Sequence, residues 1–160
     1  MANYLLSTWA LMDLISRKSD LPVFQWIDSQ QTASTQIYIS VVSIGLAQAA
    51  IESHDNPILQ RQFRESLQDV MESWPPENIV EFTLDVVAPW SLLVANGDRL
   101  QTRKRLSDSA ATVSLGQSDR MVVATALQRD LVLVEPAQPY HKQLAPIGLR
   151  VETADARSKH

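Results

Sequence analysis

An α/β fold is predicted for this chain: a three-layer α/β/α sandwich with a mainly parallel central sheet. Three observations carry that prediction. Short apolar or β-branched runs at 4–6, 37–42 and 131–134 have the length and composition of buried strands. Each is separated from the next by segments whose apolar residues recur at helical spacing. The connections are short and punctuated by proline, glycine and small polar residues. Strands alternating with amphipathic helices pack as a sheet covered on both faces.

In chain order, Tyr4, Leu5 and Leu6 form the first strand, and Leu11, Leu14 and Ile15 give the first helix its apolar side, with Ser7 or Thr8 able to cap it. Pro22 suits the first turn of a second helix carrying Val23, Phe24, Trp26 and Ile27. Residues 37–42 read as the second strand, and Ser43 is placed to cap a helix with Ile44, Ala47 and Ile51 on one face. Asn56-Pro57 opens a long helix with the stripe Leu59, Phe63, Leu67, Val70 and Met71, which Pro75-Pro76 closes. A short third strand is expected at 79–82. Asp85 is read as the cap of a helix that ends at Asn96-Gly97. Residues 98–116 read as a weak helix followed by a loop. Ser118-Asp119 begins a strong helix, 131–134 is the clearest buried strand, and Leu149-Arg150-Val151 is a last strand. Residues 1–152 are expected to form a single domain, with 153–160 a frayed tail.

Composition narrows the class. The chain has 160 residues, enough for one domain with a sizeable core, and a net charge of −4 that promises no global attraction for nucleic acid. The absence of cysteine excludes disulfides and thiolate metal sites. No apolar run approaches the ~20 residues of a membrane span, and no signal-peptide pattern is evident. A cytoplasmic protein is expected.

Four stretches resemble the PIN domain, most closely its VapC-like branch, the ribonuclease toxins of bacterial toxin–antitoxin pairs. They are Tyr4-Leu5-Leu6-Ser7-Thr8-Trp9, where the family reads apolar residues then Asp-Thr-Asn; Ile39-Ser40-Val41-Val42-Ser43-Ile44-Gly45-Leu46, where it has Thr at the position of Ser43 and Glu at that of Leu46; Asp119-Arg120-Met121-Val122-Val123-Ala124-Thr125-Ala126, which follows the family's Asp-x-x-Ile-Ala-Ala-Thr-Ala; and Leu133-Val134-Glu135-Pro136-Ala137-Gln138-Pro139-Tyr140, where it reads Leu-Val-Thr-Arg-Asn, two residues and Asp. The resemblance covers nearly the whole chain. It implies a homodimer and an antitoxin-like protein partner.

It also implies a set of four acids holding Mg²⁺ or Mn²⁺, hard cations that take oxygen ligands and activate water. Carried over by position, the set becomes Ser7, Leu46, Asp119 and Tyr140, so Asp119 is the only retained ligand. One carboxylate does not hold Mg²⁺ in a dedicated site. The reading is therefore a catalytically degenerate domain with no cofactor and no catalytic residue, acting through protein or nucleic-acid binding. The rival is an active endoribonuclease with an altered Mg²⁺ or Mn²⁺ site, Asp119 being joined in space by Asp98, Asp130 or Glu135. A nucleic-acid-binding module without chemistry is a third reading.

Each residue also has a plainer role. Asp119 is favoured as a helix N-cap over a surviving ligand. Trp9, at a strand end, is a site-lining candidate, and Trp26, Trp74 and Trp90 are assigned to core or interface. Asp13 is a binding candidate or an ordinary exposed acid. Ser43 and Ser7, with His54 or His141, lack the surroundings of a nucleophile. Arg99, Arg103, Lys104 and Arg105 form a basic run that either meets RNA phosphates or is a solvated face.

Overall fold

The computed structural model describes residues 2–30, 34–104 and 111–154. Five parallel strands form the central sheet in the order β3-β2-β1-β6-β7: β1 (Asn3–Leu6), β2 (Gln36–Ser40), β3 (Ile79–Val80), β6 (Val132–Glu135) and β7 (Val151–Thr153). The helices are α1 (Thr8–Ile15), α2 (Pro22–Gln30), α3 (Val41–Glu52), α4 (Pro57–Ser73), α5 (Val87–Ala95), α6 (Gln117–Gln128) and the single turn α7 (His141–Leu144). A separate antiparallel ribbon pairs β4 (Gln101–Arg103) with β5 (Thr112–Ser114).

Strand alternation produces the three layers. Successive side chains of β1 and β6 point to opposite faces. Leu5 and Leu133 join one core with Val86, Leu93, Val122 and Ala126, under α5 and α6. Leu6 and Val134 join the other with Leu11, Ile15, Val23, Ala47 and Leu67, under α1 to α4. Both cores are closed to water, so the central strands read as continuous apolar runs.

Several boundaries differ from those expected, each for a local reason. β2 ends at Ser40, whose hydroxyl accepts the Val42 N–H and caps α3. Ser43 therefore lies inside that helix and is not its cap. β3 is only two residues long. Asp85 sits in a 3-10 turn, Leu84–Val86, ahead of α5, and makes no cap. Gly97, at φ 55°, ends α5 as expected.

The weak helix expected within 98–116 is instead a 3-10 turn, Gly97–Arg99, followed by the β4–β5 ribbon. Tertiary anchors hold that ribbon. The Gln138 side-chain oxygen accepts the Thr102 hydroxyl and the Arg103 N–H, at 3.0 and 2.8 Å. Arg120, 1% exposed, donates to the Leu93, Gly97 and Leu115 carbonyls and to the Ser114 hydroxyl. Burial lowers the Arg120 pKa, and Asp98 partly offsets this.

β7 begins at Val151 and runs on to Thr153, and Ala154 is buried, so the packed chain continues past residue 152. The rest of the expected tail lies outside the described residues.

Candidate functional site

The chain builds the sheet outward from β1 in both directions, first to β2 and β3, then to β6 and β7. Strand order therefore reverses between β1 and β6, and in open α/β sheets ligands bind beyond the carboxyl ends of the strands at such a point. A cleft of about 350 Å³ opens there. Ser7, Thr8, Trp9 and Met12 line it from the start of α1, Asp119 and Val122 from α6, Glu135 from the tip of β6, Tyr140 from the loop beyond, and Arg103 and Lys104 from the ribbon.

The β1 side of this cleft has hydroxyls where the resemblance would put an acid and its neighbour. Ser7 is buried; its N–H donates to the Val134 carbonyl, and its hydroxyl accepts the Ala10 N–H at 3.0 Å, capping α1. The next hydroxyl, Thr8, bonds to Ser43 of α3 at 2.9 Å. Leu46, one turn further along α3, is half-buried and is not among the cleft-lining residues.

The β6 side keeps its charge. Asp119 lies in the first turn of α6, but the cap position belongs to Gly116, so the expectation that Asp119 is the N-cap is corrected. Burial raises its carboxyl pKa; a hydrogen bond with Thr8 opposes that shift, and the charge of Glu135 adds to it. Glu135 ends β6 and is buried. The Tyr140 hydroxyl donates to it, and His141 Nε2 lies 2.6 Å from the same oxygen. The Gln138 N–H donates to His141 Nδ1, which leaves Nε2 as the protonated nitrogen facing Glu135. Burial pushes the Tyr140 hydroxyl well above its ordinary value, and Glu135 and Asp119 push it further, so Tyr140 remains a donor.

Of the binding candidates, Trp9 and Arg103 meet at the cleft, with the Arg103 guanidinium carbon 5.6 Å from the Trp9 ring centre. Ser43 supports Thr8 from behind. Asp13 lies apart from the cleft, in a second groove of about 520 Å³. Arg99 is exposed on the turn before the ribbon and does not line the cleft, and Arg105 lies outside the described residues. His54 lines the second groove and His141 is bonded to Glu135, so neither is the partner of Ser7 or Ser43.

The sequence names Glu135 only as an acid without a place, offers Thr8 only as a helix cap, and gives no role to Gln138 or Arg120. A signal for Glu135 exists in the sequence: it directly follows the clearest strand, 131–134, and so falls at the carboxyl edge of the sheet, where the structure ends β6.

The structure aligns with a chain of the DNA-bound VapBC complex of Salmonella typhimurium at TM-score 0.68, covering 96% of this chain and 99% of that one at 14% identity. It aligns with a chain of Rickettsia felis VapBC2, bound to a promoter DNA fragment, at TM-score 0.66, with coverage of 94% and 98% and 16% identity. The fold is that of a VapC-like PIN domain. A third PIN-fold neighbour is VapBC-5 of Mycobacterium tuberculosis, a member of the VapBC family of toxin–antitoxin systems, at TM-score 0.59, coverage 98% and 100%, and 14% identity. No protein-family model matches the sequence, and no curated protein matches it.

The resemblance implies Mg²⁺ or Mn²⁺ in this cleft. Among the described residues no three acidic or histidine side chains cluster as metal ligands. Two carboxylates, Asp119 and Glu135, reach the cleft. One oxygen of Glu135 already takes two donors, and the Ser7 hydroxyl caps a helix. This donor set does not fit a dedicated divalent-cation site.

Proposed function

We propose that this protein is a catalytically degenerate PIN-domain protein that acts by binding a protein or nucleic acid and does not cleave RNA through a metal. The observation that carries the reading is the fate of the acids. One of the four survives, and the second carboxylate in the cleft, Glu135, is held by Tyr140, the residue standing where the fourth acid would be.

Two surfaces support a protein partner. The second groove, between α1, α3 and α4, is lined by Met12, Ile15, Leu21, Leu59 and Phe63, among others. Met12 also lines the cleft, so an antitoxin-like segment laid along the groove would reach it. Leu84 and Leu92, 87% and 66% exposed on the 3-10 turn and α5, are apolar side chains that a second copy of the chain could cover. Arg103 and Lys104 supply the positive rim that a nucleic acid would need.

The meeting of Asp119 and Glu135 in one cleft is what favours the rival, an active ribonuclease. Incubation of purified protein with structured RNA, with Mg²⁺ and with EDTA, separates the two. No cleavage above a no-protein control is expected in either. Cleavage abolished by EDTA and by Asp119→Asn establishes the rival.

A further inference from the structure

The cleft is polarised along its depth. Its inner end carries carboxylates, its walls are mostly apolar, and its outer strand carries Arg103 and Lys104, both exposed. This pattern excludes several ligand classes. A lysine or arginine side chain, or a polyamine, is attracted to Asp119 but must pass two cations. A simple carboxylate or phosphate is attracted at the rim and repelled inside. The pattern suits a molecule with hydrogen-bond donors at one end, a flat apolar body and an anionic group at the other.

We infer that the cleft holds a guanine base, with the edge bearing its ring N–H and amino group on Asp119 and its phosphate on Arg103 and Lys104. The inference rests on the non-catalytic binding reading above and names the ligand class for that site. Guanine alone among the four RNA bases offers two adjacent donors, its ring N–H and its 2-amino group, and a carboxylate accepts such a pair through its two oxygens. Adenine and cytosine put a ring acceptor beside their amino group, and uracil flanks its N–H with carbonyls. Asp119, which also bonds Thr8, is the carboxylate assigned to this edge, since Tyr140 and His141 already converge on one oxygen of Glu135. Trp9 lines the cleft with an aromatic ring of the kind on which bases lie, and the Arg103 guanidinium carbon sits over that ring, 5.6 Å from its centre. The cleft volume of about 350 Å³ falls within the range of small-molecule sites.

The same chemistry is presented by a free guanine nucleotide and by a guanine in single-stranded RNA. Calorimetric titration of the full chain in EDTA with GMP, IMP, AMP, guanosine and an RNA hexamer containing one guanine tests the assignment. GMP is expected to bind. IMP, which lacks the 2-amino group, should bind about tenfold more weakly and AMP more weakly still, the loss following from a carboxylate oxygen left unpaired. Lys104→Ala should weaken GMP several-fold and leave guanosine unchanged. Asp119→Asn should lower GMP affinity about tenfold. If that variant does not fold, the GMP-to-IMP ratio of the natural protein carries the same information. Equal affinity for GMP and the hexamer assigns the free nucleotide, and a hexamer at least tenfold tighter assigns RNA; either supports the guanine site. Binding of neither GMP nor the hexamer at millimolar concentration, or AMP binding as tightly as GMP, overturns it. Metal-dependent cleavage of the hexamer would instead overturn the non-catalytic reading and leave guanine preference standing.

Discussion

The two sides of the cleft differ in charge. At the tip of β1 the charge is absent: Ser7 stands where an acid is expected, and its hydroxyl is consumed by the α1 cap. At the tip of β6 charge is present, and Asp119 and Glu135 both push the titration of Tyr140 upward. There the Tyr140 hydroxyl and His141 Nε2 converge on one oxygen of Glu135. Removing an acid asks little of its surroundings, because a hydroxyl is easily satisfied by nearby backbone. Keeping a buried acid requires donors aimed at it. The β1 side should therefore tolerate change better than the β6 side.

The largest effect is expected at Tyr140. Tyr140→Phe leaves Glu135 with one donor fewer in a buried place and should cost about 1–3 kcal/mol in denaturant unfolding. Combining it with Glu135→Leu should cost less than the two single changes added together, since the stranded acceptor is then gone. A loss no larger than that at an exposed position would remove the distinction between the two sides.

A smaller loss, about 1 kcal/mol, is expected for Ser7→Ala, as for a helix cap replaced by alanine. A loss comparable to that of Tyr140→Phe would mean that Ser7 does more than cap.

The smallest effect has the opposite sign. Asp119 has a folded-state pKa above its unfolded one, so its contribution to stability is fully present below the unfolded pKa and is lost as pH rises through the folded pKa. Asp119→Asn, which removes the charge that burial disfavours, should therefore raise the melting temperature at neutral pH by about 2–4 °C. The gain should shrink toward zero as the solution is acidified below the folded pKa. A variant that melts lower at neutral pH would point to a favourable partner for the ionised carboxylate.

Legibility in the sequence followed the same physical division. The sheet and its covering helices could be read because buried strands and amphipathic helices each impose a local period. Asn56-Pro57 and the stripe from Leu59 to Met71 placed α4 to within a residue. The β4–β5 ribbon could not be read, because nothing local selects it; Gln138 and Arg120 hold it from other parts of the chain. Small polar residues near helix starts were misassigned by a few positions, Ser43 for Ser40 and Asp119 for Gly116, since composition alone does not say which of two neighbours caps. Of the residues carried over by position, Ser7, Asp119 and Tyr140 line the cleft and Leu46 does not. The pairing of Glu135 with Tyr140 and His141 spans only a few residues, yet it depends on the turn beyond β6 folding those side chains back on the strand end.

Titration with Mn²⁺ in metal-free buffer tests most directly whether the cleft has ceased to be a cation site. No micromolar affinity is predicted for the natural protein, and Asp119→Ala should change nothing in the titration. Micromolar Mn²⁺ binding that disappears in Asp119→Ala would contradict the account.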